Sequence, residues 1–214
     1  RTMSIAQSLY EGININGENQ GLITYMRTDS TNLSNVFIND AKKVIANQYG
    51  EKYVYNSVRT FKNKVKNSQE AHEAIRPSDP FIKPEDLPSS LDQDLKKLYS
   101  LIWKRSLATQ STQSISKIIS IKIADKEKKV ILSSSTTALT FDGYKKIYQD
   151  VSKDEVKKEV NFDKLTNNLK VANAKCSPKQ HFTEPPPRYT EASLIKKLEE
   201  YGIGRPSTYA KKKK

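Results

Sequence analysis

In the segment GLITYMRTDSTNLS (residues 21–34) a tyrosine, Tyr25, stands two residues before an arginine, Arg27, with no metal ligand or histidine beside the pair. A phenol with a free pKa of about 10 is a poor nucleophile at neutral pH unless cations stabilise its oxyanion. Arg27 is placed to do that, and a second cation or a metal delivered by another part of the protein could add to it. The ordinary alternative is a half-buried packing tyrosine with a wet hydroxyl. In QEAHEAIRPSD, His72 and Arg76 are four apart, so on one helical turn they would share a face and could both reach one anion. The other histidine, His181, is far along the chain, and such an isolated pair makes no metal motif. Cys176 is the single cysteine, which forms neither an internal disulfide nor a zinc cluster. Asp92 and Asp94 in LDQDLKK fall two apart in a helical pattern, point in different directions and read as solvated surface. No metal site is therefore expected within these residues.

The chain holds seven arginines, and Arg27, Arg76, Arg188 and Arg205 all fall inside its most distinctive segments. A planar guanidinium suits a bidentate grip on phosphate; the competing use is pairing with surface carboxylates. Bulk charge comes from lysine instead. The net charge of +13, of which residues 211–214 supply four, draws the chain to polyphosphate or an anionic surface. No apolar run approaches the ~20 residues needed to cross a bilayer, and a signal-peptide plan is missing from the first residues. The chain reads as cytoplasmic. Its first residue is Arg1 rather than Met, which suits a piece excised from something longer.

These side chains must be positioned by local elements. Residues 2–12 predict a short helix ended by Gly12, and NINGENQ a polar loop. From Leu22 to Arg27 a period of two predicts a strand with Tyr25 and Arg27 on one face. Ser34 is placed to cap a helix reaching Gln48, with Phe37, Ala41, Val44 and Ile45 on its apolar stripe and Gly50 as its stop. A short helical stretch is expected around His72, broken by Pro77 and Pro80. The clearest helix follows, capped by Ser89 or Ser90, with Leu91, Leu95, Leu98 and Ile102 at helical spacing. Residues 114–149 alternate as antiparallel sheet and include an Asp-Gly turn. The charged, aromatic-poor residues 153–170 suit a surface segment. Thr190 should cap a helix from Glu191 to about Glu200, and a turn at Gly202 and Gly204 followed by Arg205-Pro206 gives the layout of a helix-turn-helix.

Five segments, RTMSIAQSLYEG, GLITYMRTDSTNLS, AHEAIRPSD, LYSLIWKRSLATQ and FTEPPPRYTEASLIKKLEEYGIGRPSTYA, resemble in this order segments of bacterial-type DNA topoisomerase I, a type IA topoisomerase. The matched blocks run from one end of the chain to the other, with little resemblance in residues 51–66 and 125–173. The resemblance implies that Tyr25 is the nucleophile, that Arg27 assists at the scissile phosphate and that His72 is a phosphate ligand near the site. It makes Arg76 a further phosphate candidate and places Arg188, Thr190 and Arg205 in segments that line a single-strand groove. Tyr25 would form a 5′-phosphotyrosine, releasing a 3′-hydroxyl, and resealing would need no ATP.

The fold implied is α+β: a mostly helical, winged-helix-like domain with a small sheet carrying Tyr25 (1–112), an antiparallel β segment of an arch (113–175), and a truncated helix-turn-helix that begins a DNA-groove domain (176–214). Exposed sheet edges are expected in the arch segment. The family's metal-binding domain should precede Arg1, so Mg2+ is expected in the parent protein, and this piece alone should cleave DNA barely or not at all. The partner implied is DNA, single strands preferred, for a monomeric protein in the nucleoid, or in an organelle. Two rivals stand beside it. In a non-catalytic single-stranded DNA-binding module Tyr25 would only pack. In a tyrosine recombinase the tyrosine generally follows the arginine and histidine motifs, whereas Tyr25 precedes them.

Overall fold

The first helix, α1 (Thr2–Glu11), turns Ala6 and Leu9 into the core and stops at Gly12, whose φ of +113° is a backbone region that side-chain-bearing residues avoid. In this computed structural model, residues 1–15, 17–61, 72–125, 127–129, 131–148, 170, 175 and 177–203 are described. They belong to two compact units, Arg1–Val151 and Ser152–Lys214. Residues 14–20, expected as a polar loop, fall in a small hairpin: β1 (Ile13–Ile15) pairs antiparallel with β2 (Glu18–Gln20), Ile13 opposite Gln20. Asn14 closes its turn by accepting from the Gly17 amide at 2.9 Å, a side-chain turn that composition alone does not distinguish from a loop.

The second helix, α2 (Asn35–Tyr49), follows the sequence closely. Ser34 has extended backbone and its hydroxyl accepts from the Phe37 amide at 3.3 Å, Phe37, Ala41, Val44 and Ile45 are buried, and Gly50 ends the helix with φ +99°. The third helix, α3 (Gln93–Thr109), is capped by Asp92, not by Ser89 or Ser90: the Asp92 carboxylate accepts from the amides of Asp94 and Leu95, while residues 88–91 are used in a turn before it. Asp94 pairs with Arg1. The deepest residues of α3 are Tyr99, Trp103 and Leu107, with Leu95, Leu98 and Ile102 only partly buried beside them. Tyr99 and Trp103 reach full burial because each polar atom finds a carbonyl: Tyr99 Oη donates to Ile82 O at 2.7 Å and Trp103 Nε1 to Pro80 O at 2.9 Å. Full burial of each such side chain is worth about 2–3 kcal/mol. The cluster joins α1, α2 and α3 through Leu9, Leu22, Ile45, Tyr99 and Trp103.

After α3 the chain enters a long two-stranded antiparallel ribbon, β3 (Ile115–Ala124) against β4 (Ile131–Phe141), with Ile123 opposite Leu132 and Ile119 opposite Thr136. Most of it is exposed, Ile118, Ile131 and Leu132 included, and both outer edges are unpaired among the described residues. The expected sheet is shorter than the sequence suggested. Asp142 and Gly143 do not form a hairpin turn; Gly143 (φ +51°) starts a 3-10 turn to Lys146 that docks back on the helices, with Tyr53 Oη donating to Asp142 at 2.8 Å and the Tyr53 and Phe141 rings stacked at 5.3 Å.

In the second unit, residues 177–190 are extended and exposed and lead into α4 (Glu191–Glu200). Thr190 caps α4 as the sequence requires, its hydroxyl accepting from the Ser193 amide at 3.2 Å while Ser193 accepts from the Thr190 amide at 2.8 Å. The second half of the expected helix-turn-helix, from Gly204 on, lies outside the described residues, as does most of 153–170.

Candidate active site

The segment around Tyr25 is not a strand. Leu22 and Ile23 are both buried, which a period of two forbids, and only Ile23 makes a sheet-like bridge, to Pro77. Distant backbone takes over what a neighbouring strand would have supplied. The Leu22 amide donates to Leu9 O (2.8 Å) and its carbonyl accepts from the Ser78 amide (2.9 Å); the Thr24 amide donates to Arg76 O (2.9 Å). The Thr24 hydroxyl donates to Ala74 O at 2.7 Å and accepts from the Arg76 amide at 2.9 Å. Residues 72–78 are equally non-helical; they run extended and irregular along residues 22–32, with the Ala74 amide donating to Asn32 O at 2.8 Å. The helical-turn argument for His72 and Arg76 therefore fails, because Thr24 and Asn32 have claimed the backbone groups that a helix would use.

This lacing brings His72 to Tyr25 by another route. The Tyr25 ring lies between two rings, His72 at 5.0 Å and tilted by 38°, and Tyr10 of α1 edge-on at 5.5 Å. Tyr25 is half-buried, and among the described residues no group hydrogen-bonds its hydroxyl, in contrast with Tyr53 and Tyr99, whose hydroxyls brace the fold. Arg27 is exposed, and its guanidinium donates to the Gln7 side-chain oxygen at 3.3 Å. No carboxylate of the described residues pairs with it. The site thus offers a held phenol ring, an imidazole packed on it, and, two residues on, an exposed cation; among the described residues neither the hydroxyl nor the cation's charge is taken up by a partner carboxylate.

Arg76 is different. It is 14% exposed at the side chain, pairs with Glu73 at 2.6 Å, donates to the carbonyls of Pro77 (2.8 Å) and Ser78 (3.2 Å), and lies over the Phe37 ring at 4.8 Å. Its fork is largely taken up in holding the 73–78 segment against α2. Arg188 is exposed in the extended segment before α4, near the exposed rings of Phe182 and Tyr189 in sequence, and Thr190 serves as the cap of α4. Arg205 and Cys176 lie outside the described residues. Sequence reasoning missed Tyr10, Gln7 and Thr24. Tyr10 and Gln7 stand in the first of the five matched blocks, whereas the pairing of Thr24 with residues some fifty positions on has no local signal.

Among the described residues no three His, Cys, Asp or Glu side chains converge as a metal site, and Asp92 and Asp94 are engaged as helix cap and ion-pair partner. No described helix is long and apolar enough to cross a membrane.

Residues 1–212 match the family model described as DNA topoisomerase. The chain is 49% identical to DNA topoisomerase 1 of Rickettsia felis over 98% of its own length and 27% of that protein's. Corresponding values are 46%, 98% and 29% for DNA topoisomerase 1 of Campylobacter jejuni, and 47%, 98% and 22% for that of Mycolicibacterium smegmatis. The fold is similar to that of full-length topoisomerase I from Thermotoga maritima, with a TM-score of 0.73 at 36% identity, covering 97% of this chain and 32% of the other. The chain thus spans about a quarter to a third of the length of the proteins it matches.

Proposed function

The chain belongs to the DNA topoisomerase family, and from that premise we propose that it is the part of a type IA enzyme that carries the nucleophile, Tyr25, for transient cleavage of one DNA strand. The observation that carries this reading is the Tyr25 side chain itself: held by rings on two sides, half-exposed, its hydroxyl unused by the fold.

In the proposed step the Tyr25 oxygen attacks a backbone phosphorus, losing its proton as the phosphorus–oxygen bond forms. The bond to the 3′-oxygen breaks and that oxygen leaves as a hydroxyl after taking up a proton. Phosphodiester is exchanged for phosphodiester, so the reverse attack reseals the strand without ATP. Arg27 offsets charge that builds on the non-bridging oxygens, the electrostatic contribution that usually dominates phosphoryl transfer. His72, in contact with the Tyr25 ring, is placed to donate to the same phosphate. Arg76 acts through position: it fixes the segment that bears His72. The magnesium that the family implies has no site among the described residues, and its ligands belong to the remainder of the parent protein. Exposed Phe182 and Tyr189 flanking Arg188, with Tyr201 beyond α4, suit stacking on unpaired bases and support a preference for single strands; Thr190 and Arg205 complete that groove. Within the parent, residues 1–112 would carry the tyrosine, 113–175 the arch and 176–214 the start of the groove domain.

The test is adduct trapping in the full-length protein that contains this chain, with a single-stranded oligonucleotide labelled at either end. Wild type is expected to retain the 5′-phosphate side and free a 3′-hydroxyl, and Tyr25→Phe to form no adduct while still binding. Equal relaxation of supercoiled DNA by both proteins would leave Tyr25 as a packing residue of a binding module. A freed 5′-hydroxyl would indicate the opposite polarity, that of a recombinase.

A further inference from the structure

The basic stretch after Tyr53 showed little resemblance to the family, yet it holds an arginine with a buried guanidinium nitrogen that no described group satisfies. The Arg59 guanidinium lies over the Tyr55 ring, 4.1 Å from its centre, and its Nη2 is buried without any hydrogen-bond partner. Among the described residues no carboxylate lies within ion-pair distance of it, whereas Arg1 and Arg76 each have one. A buried guanidinium nitrogen left without an acceptor is costly, and the charge it carries favours an anion from outside. Hydrogen bonding with Ser57 and then Arg59, with a smaller contribution from the Arg59 charge, lowers the pKa of the Tyr55 phenol.

The segment is anchored, so Arg59 is held in place. The Tyr55 amide donates to Gln110 O at 3.2 Å, Lys42 Nζ to Ser57 O at 3.2 Å, and the Thr31 hydroxyl to Phe61 O at 2.8 Å. Thr31 belongs to the segment that begins at Tyr25, and six extended residues span at most about 21 Å. Two residues after Arg59, Phe61 leaves 43% of its surface in solvent, an open aromatic face beside an uncompensated cation.

We propose that Arg59 and Phe61 form a nucleotide subsite for single-stranded DNA, Arg59 taking a backbone phosphate with its guanidinium braced on Tyr55, and Phe61 stacking on the adjacent base. It rests on the reading of the chain as a DNA-strand enzyme and places the grip a few nucleotides from Tyr25. Cation and ring make separable contributions: a phosphate contact governs salt dependence, while stacking on an aromatic ring does not.

The test is fluorescence anisotropy of a labelled single-stranded oligonucleotide binding the full-length protein that contains this chain, across a salt series. Arg59→Ala should weaken binding at least tenfold at low salt and reduce the slope of log K against log salt by about 0.7, the value for one phosphate on a single strand. Arg59→Lys, which keeps the charge and disturbs the fold least, should recover less than half of the loss. Phe61→Ala should weaken binding about fivefold or more with the slope unchanged. Lys104→Ala, an equal charge change at an exposed position of α3, is the control and should shift affinity less than twofold. Arg59→Ala matching that control, with melting curves unchanged, would overturn the subsite while leaving the Tyr25 reading intact. No binding by the wild-type full-length protein would overturn both, and unaltered Tyr25→Phe binding with no adduct separates them.

Discussion

Thr24→Val tests whether the hydroxyl of Thr24 is what sets His72 against Tyr25. Valine keeps the β-branch and nearly the volume, so the substitution removes a hydroxyl and little else. Two backbone groups lose their partner, Ala74 O (2.7 Å) and Arg76 N (2.9 Å), while the bond from the Thr24 amide to Arg76 O survives. Each group stranded in a partly buried place costs about 1–1.5 kcal/mol, giving roughly 2–3 kcal/mol in all. For a chain of this size that lowers Tm by roughly 4–12 °C. Thr24→Ser keeps both bonds and gives up one methyl, about 0.8 kcal/mol. Urea unfolding followed by Trp103 fluorescence reads the same unit, because Trp103 is 2% exposed and bonded to Pro80 O. With equal m-values, the valine variant should lose at least about 1 kcal/mol more than the serine variant. In the full-length protein its adduct yield should also fall below that of the serine variant. Equal stability of the two would refute the lacing argument, because the hydroxyl would then contribute nothing that its methyl does not.

The remaining predictions concern places where the fold is strictly determined. Gly143→Ala adds a Cβ that would sit 2.3 Å from Gln113 O at a φ of +51°, so thermal unfolding should show a loss of at least about 2 kcal/mol, most of it from the clash. Burial, with smaller contributions from Asp79 and Asp86, raises the Tyr99 phenol well above its ordinary value. A raised phenol pKa favours the folded state while the unfolded phenol stays protonated; stability should therefore fall as pH rises past about 10, and Tyr99→Phe should flatten that alkaline limb in urea titrations. Thr190→Asp should keep α4 capped, by circular dichroism, yet weaken single-strand binding through its negative charge, whereas Thr190→Ala should lose about 1 kcal/mol of local helix stability. Equal binding by the aspartate variant and wild type would remove Thr190 from the groove.

What could be read from the sequence was whatever depends on neighbours. Ser34, Phe37, Ala41, Val44, Ile45 and Gly50 lie within one helix, and each does what spacing requires. Thr190 does likewise for α4. The errors fall where a long-range bond replaces a local one. Residues 22–27 alternate like a strand, but Leu9, Arg76 and Ser78 satisfy the backbone of Leu22 and Thr24, and Leu22 and Ile23 both turn inward. The cap of α3 was misplaced because Ser89, Ser90 and Asp92 are all good caps, and only the turn from Pro88 to Leu91 decides among them. The same helix buries Tyr99 and Trp103 more deeply than Leu95 and Leu98 because two carbonyls some twenty residues away accept their hydrogen bonds.

The family resemblance survived these errors because it rests on which residues stand in order, not on the elements assigned to them. The helical turn expected to pair His72 with Arg76 does not form, and His72 nevertheless meets the Tyr25 ring. A helical turn would have linked His72 to Arg76 and left both independent of Tyr25. The observed arrangement does the reverse: Thr24, next to Tyr25, takes the Arg76 amide, and the Arg76 guanidinium turns to Glu73, Pro77, Ser78 and Phe37. His72 is left exposed at the end of a segment fixed on both sides, by Thr24 and by Asn32, with its ring on Tyr25. A motif in which one arginine braces and the neighbouring histidine is presented suits the proposed role of Tyr25, which requires the ring to be held still while a strand has room to approach. Exchanging those roles, with Arg76 free and His72 engaged, would leave the Tyr25 ring open on the face that His72 now covers.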